Sequence, residues 1–554
     1  GFCWCDKGWF GVDCSQALHT PRGAPSMQAQ QRLPSPAAAS PLRIYVYDMP
    51  SEFTTLNLQW RNGPTMGNHR AFSGDNRSYF ALGSLYAMET ALHEWLLDSP
   101  LRTTDAAQAH LFFVPTYLAS LFMWPVSKWA DVPYYGRATR ENKRRSHQGA
   151  LFLRAALRYV QEHYPFWAAS GGRDHIFLSL HDEGPCFAPR EMRPAMLLTH
   201  YGYYAPHPRP WGTYYDDNFM QDPRFYDRHL GDSKRPTPCF ARGKDLVIPP
   251  WKEPRFWRKA LADPALRGPA AIRRHRAGLV FFAGDLGNNR LAGYSHDLRQ
   301  RAFALFCDPH TIKFSRRDCT PIAGGKCRTD MPMNCSLWQP GVTIKTHSQR
   351  YHDELKQHTF CLAFPGDGWS SRVLDAVTHG CIPVVIQDES EMFLEGAFTE
   401  AGLPGFDYGS FSLRLMEAEL PNLVQVLRAV PRHRIEELRR AALWARDYFV
   451  YKDMYNPSAS SRAELLSTGR PRQDAFLLIS LALEGRARAL GKLVDAPEWR
   501  QRNLELLGWG ADGLLGSGAA GLGRTADGVA GSQAATGAAD RADAAGQPRR
   551  EAES

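Results

Sequence analysis

No stretch of this 554-residue chain reaches the roughly 18 consecutive apolar residues that a membrane-spanning helix needs, and no secretory leader is visible. There is no Asp-x-Asp, the short carboxylate pair that usually seats a divalent ion against a diphosphate. Asp216 and Asp217 are adjacent and read as a solvated loop pair, so no metal site is expected. The glycine-containing run at 281–290 lacks a Walker or G-x-G-x-x-G pattern. A nucleophile elbow is missing too, which leaves nothing for a serine-hydrolase reading. Long basic runs are also absent. The formal charge is +9, yet the one local run, 143–145, is short. No nucleic-acid partner is expected; a basic cleft for anionic donors or acidic glycans accounts for the balance.

What is present points to several folded units. The chain is too long for one core, and 44% hydrophobic with 12% aromatic residues is ordinary for a globular protein. Residues 19–41, rich in Pro, Ala, Gln and Ser, form a linker or stem too polar to pack. From residue 508 to 554 Gly and Ala dominate without a hydrophobic pattern, so disorder is expected. Between them, strand-like runs at 42–47, 109–115 and 175–180 alternate with helical spacing at 79–97 and 147–163. A strand at 246–250 leads out of this unit, after a loop-rich stretch over 201–260. A second unit begins at strand 278–284 and closes with helices at 432–447 and 473–490. Such alternation predicts two α/β domains with parallel sheets, at 42–270 and 271–507.

The eleven cysteines bear on the compartment. Cys3, Cys5 and Cys14 stand in C-x-C-x8-C with Gly8, Trp9, Phe10 and Gly11 between them, a spacing that does not suit zinc. The arrangement resembles the second half of an EGF-like module, which makes residues 1–18 a remnant. The resemblance implies a Cys5–Cys14 bridge and leaves Cys3 without its partner. Because Gly1 already adjoins this motif, the chain reads as cut at its N-terminus, with a membrane anchor expected upstream. Cys307, Cys319, Cys327 and Cys335 form a second cluster able to hold two bridges. Two glycosylation sequons begin at Asn76 and Asn334. Together these favour an oxidising lumen, against reduced thiols in a cytosolic nucleotide-binding protein.

The most informative segment is 359–388, TFCLAFPGDGWSSRVLDAVTHGCIPVVIQD. Apolar runs 360–364 and 382–386 flank a Gly-rich turn and a short helix, a complete βαβ unit. Gly366, Gly368 and Ser370 let a ligand approach the backbone, and a helix start favours phosphate. The helix is expected over 371–379, with Ser370 as N-cap and Gly380 as stop. Arg372, Asp375 and His379 then share a face. Arg372 suits phosphate oxygens and Asp375 a ribose hydroxyl pair, unless the two form a plain surface ion pair. The run from strand 278–284 into Asp285, Leu286 and Gly287 repeats the logic more weakly, as a phosphate turn or a plain one. His181, Asp182 and Glu183 follow a strand end, where α/β proteins place chemistry. One of them could serve as general base, or the segment is an ordinary solvated loop.

CLAFPGDGWSSRVLDAVTHGCIPVVI resembles the signature of exostosin-like glycosyltransferases. LRIYVYDMP, RTTDAAQAHLFFVP, DHIFLSLHDEGPC and the run from VFFAGDLG to YSHDLRQRAFALF resemble further blocks in the same order, across about residues 42–450. The EGF-like piece is similar to forms found in algae and plants. The resemblance implies a GT-B fold, two Rossmann-like domains facing a cleft. It further implies an inverting transfer from a nucleotide-sugar, commonly a UDP-sugar, to a polysaccharide or glycoprotein glycan without a cofactor or metal. Gly284, Arg299, Gly366, Asp367, Gly368, Ser370, Ser371, Arg372 and Asp375 would meet the donor, and His181 or Asp182 the acceptor. Where many relatives carry Glu, this chain has Asp375, which draws the carboxylate back by one methylene. A Golgi-lumenal, single-pass type II membrane protein is implied, alone or with a partner glycosyltransferase. A catalytically inactive glycan-binding or scaffolding protein is the alternative on the same fold.

Overall fold

The structure is a computed structural model. It describes residues 36–60, 85–118, 145–205, 239–287, 294–310, 335–452 and 470–509, apart from 253, 404, 471 and 496–497, and short pieces at 5–10, 14, 16–17, 70–72, 79–81, 321–322 and 326–327. Cys3, Asn76, Cys319, Asn334, Asp216, Asp217, most of the expected linker and all but the first residues of the expected Gly/Ala tail lie outside the described residues.

Two wholly parallel sheets organise the molecule. The first contains β1 (Ile44–Val46), β2 (Arg102–Thr103), β3 (Leu111–Val114), β4 (His175–Ser179), β5 (Met196–Thr199) and β6 (Leu246–Val247). Its strand order is β6-β5-β4-β3-β1-β2. The second contains β7 (Gly278–Ala283), β8 (Val342–Lys345), β9 (His358–Ala363), β10 (Ile382–Ile386) and β11 (Leu413–Leu415), in the order β8-β7-β9-β10-β11. β3, β4, β5 and β10 are buried along their whole length. Both faces of a parallel sheet are covered, so its strands read as continuous apolar runs.

Helices pack on these sheets, among them α1 (Met88–Asp98), α2 (Arg145–His163), α3 (Pro254–Ala262), α4 (Leu298–Phe306), α5 (Tyr351–Gln357), α6 (Arg372–Thr378), α7 (Arg432–Ala445) and α8 (Ala475–Ala489). The helix expected from residue 79 starts only at Met88. Tyr79–Ala81 is instead a strand, antiparallel to Arg70–Phe72. Aromatic Tyr79 and Phe80 suit a strand, and Gly83 is a poor helix former.

α8 is buried on nearly all sides and packs back against the first half of the chain. Trp95 of α1 stacks on Phe476 at 4.5 Å. Ser40 donates to Glu484 at 2.5 Å. Arg486 donates to Glu400 and to the carbonyls of Lys244 and Asp245. A second link is the antiparallel pairing of Gly202–Tyr203 with Ser390–Glu391. A Cβ on Gly202 would stand 2.4 Å from the Glu391 carbonyl oxygen, so this contact demands glycine.

Disulfides join Cys5 to Cys14, Cys186 to Cys239, Cys307 to Cys335 and Cys361 to Cys381. The second and fourth were not foreseen, because their cysteines stand singly in the sequence rather than in a cluster. Among the described residues, no helix is long and apolar enough to cross a membrane.

Candidate active site

The βαβ unit forms as its sequence suggests. β9 runs into the 364–371 loop, α6 follows, and Gly380 ends the helix with φ +66°. The N-cap position belongs to Ser371 rather than to the expected Ser370. Ser371 makes no side-chain cap bond, while the Ser370 hydroxyl accepts from the Arg372 N–H at 3.3 Å. Val373, Leu374, Ala376 and Val377 are buried, which turns Arg372 and Asp375 toward the strand ends.

A cavity of about 980 Å³ opens there. Its wall includes Gly284, Arg299, Gly366, Asp367, Ser370, Ser371, Arg372 and Asp375 from the second half, and Leu85, Tyr86 and Asp182 from the first. Two of the expected residues stand elsewhere. His181 is buried, packs edge-on against Phe187 and does not line the cavity. Gly368 presses its backbone onto the neighbouring loop: a Cβ there would lie 1.8 Å from the Asp182 carbonyl oxygen. Its own carbonyl accepts from Gln387 at 2.8 Å.

Two guanidinium groups dominate the charge. Arg372 donates to the Tyr351 hydroxyl at 2.5 Å and stands 3.6 Å from the Asp375 carboxylate. Its ring neighbours are Tyr351 and Phe282. A Cβ on Gly284 would meet Arg372 Nη2 at 3.0 Å, so that glycine makes room for the guanidinium. Arg299 is buried and donates to the Tyr294 hydroxyl at 2.6 Å and to the Asp285 carbonyl at 3.1 Å. Burial pulls Arg299 below the usual arginine range. At Arg372 burial pulls the same way, but Tyr351 and Asp375 outweigh it and raise the group.

Asp375 is not a solvent-facing partner of Arg372. It is 2% exposed, accepts from Lys252 through one oxygen and from the Tyr351 hydroxyl through the other at 2.9 Å. Burial would raise this carboxyl, yet Lys252 and then Arg372 hold it below the ordinary range. Burial, reinforced by Asp375, pushes the Tyr351 phenol well up, so its proton stays available for donation. His379, buried beneath, is pushed down to about 4, chiefly by burial, and is neutral near pH 7. Asp182 accepts from the Tyr86 hydroxyl at 2.5 Å.

Sequence reasoning missed Lys252, Tyr351, Tyr294 and Tyr86. Tyr294 heads the YSHDLRQ block, from which only Arg299 was singled out; Lys252, Tyr351 and Tyr86 arrive from segments whose local pattern says nothing of the cavity. Among the described residues, no group of three or more His, Cys, Asp or Glu side chains could hold a metal ion. The arrangement suits a diphosphate under two arginines, with a carboxylate in the same cavity able to take a proton.

A family model, the Exostosin GT47 domain, matches residues 38–430. The chain belongs to the exostosin GT47 family. Similar proteins include an Oryza sativa subsp. japonica protein named "Probable glucuronosyltransferase", 26% identical over 70% of this chain and 70% of its own length. A "Probable glucuronoxylan glucuronosyltransferase" of Arabidopsis thaliana is 25% identical over 72% of this chain and 66% of its own. A "Probable glucuronosyltransferase" of Physcomitrium patens is 23% identical over 72% and 68%. The GT47 match takes in every strand of both sheets and the whole cavity wall.

Proposed function

We propose that this chain, a glycosyltransferase by family, moves a sugar from a UDP-sugar to a hydroxyl of a polysaccharide or glycan in one inverting displacement. On this reading the two sheets are the Rossmann-like halves of a GT-B fold, and the cavity is the cleft between them. The observation that carries it is the meeting of Arg299, Arg372 and Asp182 in one cavity. The relatives' names make UDP-glucuronate the first donor to try.

The acceptor hydroxyl gives its proton to Asp182 as its oxygen bonds to the anomeric carbon. The bond from that carbon to the diphosphate oxygen breaks, and the electron pair leaves with the nucleotide. Arg372 and Arg299 meet the charge that grows on the diphosphate. Their positions are held beforehand by Tyr351 and Tyr294, so little rearrangement is needed during reaction. Asp182 is preferred to His181 as base because only Asp182 reaches the cavity. Gly366, Asp367, Ser370 and Ser371 would shape the donor subsite. The four disulfides among the described residues favour residence in an oxidising lumen such as the Golgi.

The test is a panel of nucleotide sugars, scored by rise in melting temperature and then by transfer to glycan acceptors. One UDP-sugar should stabilise the parent chain, and Arg372→Ala should lose both that rise and most of the turnover. If Arg372→Ala binds and turns over donor like the parent, the assignment is wrong. Binding without any turnover would favour an inactive glycan-binding protein.

A further inference from the structure

The transferase cavity lies beyond the C-terminal ends of β7 and β9, where Ala283, Gly284 and Gly366 line it. The other ends of the same strands carry a second cavity, of about 450 Å³, lined by Gly278, Gly341 and Thr359. Along β7 the two are separated by about 17 Å, at 3.3 Å per residue. They are separate sites.

Six arginines line this second cavity: Arg273, Arg274, Arg276, Arg428, Arg432 and Arg439. The only carboxylate in its lining is Glu436, and Arg432 already engages it at 3.1 Å. Arg276 and Arg439 are 6% and 2% exposed. Their terminal nitrogens bond backbone carbonyls: Leu355, His358 and His379 for Arg276, Ile272 and Arg274 for Arg439. The Nε–H of each is buried and makes no hydrogen bond. Buried cations are ordinarily paired with an anion; here, among the described residues, the hydrogen-bond partners are carbonyls, and Glu436 acts on Arg439 through its charge alone. Burial, then the charges of Arg439 and Arg274, pull Arg276 down to about 9. Carbonyl stitching explains why Arg276 and Arg439 are where they are. Exposed Arg428 donates to the Pro340 carbonyl at 3.3 Å and Arg432 is engaged with Glu436, which leaves exposed Arg273 and Arg274 at the same opening unexplained by either contact.

We propose that this cavity is a binding site for an acidic polysaccharide, which it grips through the chain's carboxylate or sulfate groups. Guanidinium forks match planar and tetrahedral oxyanions in paired hydrogen bonds. The volume falls in the range of clefts that hold whole small ligands, more than a lone inorganic ion fills. No Phe, Tyr or Trp lines it and His275 is the one aromatic ring in its wall, a poor platform for successive stacked bases, so single-stranded nucleic acid is disfavoured. A site here would tether an anionic chain to the back of the domain while another part of it engages elsewhere. The oxyanion site stands on this cavity alone, and the choice of a polysaccharide rests on the chain's membership of a glycosyltransferase family.

The test measures binding of the full chain to fluorescent oligogalacturonate, to sulfated dextran oligosaccharide, to neutral dextran and to a single-stranded oligonucleotide. Oligogalacturonate or the sulfated probe should bind, with affinity that falls as salt is raised. Which of the two binds more tightly tells carboxylate from sulfate recognition. The combined variant Arg273→Ala, Arg274→Ala, Arg432→Ala should weaken that binding at least tenfold and leave nucleotide-sugar stabilisation unchanged. A charge-matched control, Arg158→Ala, Arg190→Ala, Arg500→Ala, should stay within twofold of the parent. The proposal is overturned if the first variant binds like the parent or the control loses as much. It is equally overturned if neutral dextran or the oligonucleotide binds as tightly as the acidic sugars.

Discussion

Replacing Tyr351 by Phe removes one oxygen and leaves the ring packing against Phe281 and Arg372 in place. That oxygen accepts from Arg372 at 2.5 Å and donates to Asp375 at 2.9 Å, so it fixes the guanidinium relative to the carboxylate. A hydrogen bond to a charged group contributes about 1.5–3 kcal/mol, and two are lost. Arg372 and Asp375 keep a direct approach of 3.6 Å that recovers part of this, so a net loss of about 1.5–3 kcal/mol is expected. If the loss falls wholly on the diphosphate in the transition state, kcat/KM drops by about 10- to 150-fold. The assay is initial-rate transfer from the UDP-sugar that best stabilises the parent chain, with melting temperature as a check on folding. A Tyr351→Phe variant that melts like the parent and keeps kcat/KM within twofold would refute the claim that this hydroxyl positions Arg372.

Three further outcomes are expected. Asp182→Asn keeps the hydrogen bond from Tyr86 but cannot take a proton, so turnover should fall by about 10²–10⁴-fold with the UDP-induced melting shift retained; full turnover would remove Asp182 as base. Gly368→Ala drives a methyl group into the Asp182 carbonyl and should destabilise the fold by about 1–3 kcal/mol, read by thermal melting; an unchanged melting temperature would contradict the packing. Glu391 is pushed up to about 7 from the ordinary 4.5, first by burial and then by Glu395. The folded chain therefore holds a proton that the unfolded chain releases, and stability falls as pH rises from about 4.5 to about 7. Glu391→Gln should flatten that fall, worth at most about 3 kcal/mol, in denaturant titrations at several pH values; an unaltered pH profile would refute it.

How much was legible depended on whether the signal was local. The β9-α6-β10 unit announces itself because two apolar runs, a glycine turn and a helix stop fall within thirty residues. β5, β8 and β11 were not picked out, since runs as short as Val342–Lys345 stand out little from loop sequence. The cavity's arginines came from such local blocks. The groups that aim them did not: Tyr351 heads an ordinary polar helix, and Lys252 sits between prolines. Asp375 shows the limit most clearly. Beside Arg372 in sequence it suggests a surface pair or a ribose contact, yet in three dimensions both its oxygens are taken by Lys252 and Tyr351. Tertiary contacts decided its role.

The stacking of Trp95 on Phe476 bears on how the molecule is made. A ribosome releases the first sheet long before it releases the helix that covers its flank. The early half must wait with an aromatic face uncovered, and folding cannot be completed strictly from front to back. Truncation ahead of Ala475 would therefore injure the portion of the protein farthest from the cut.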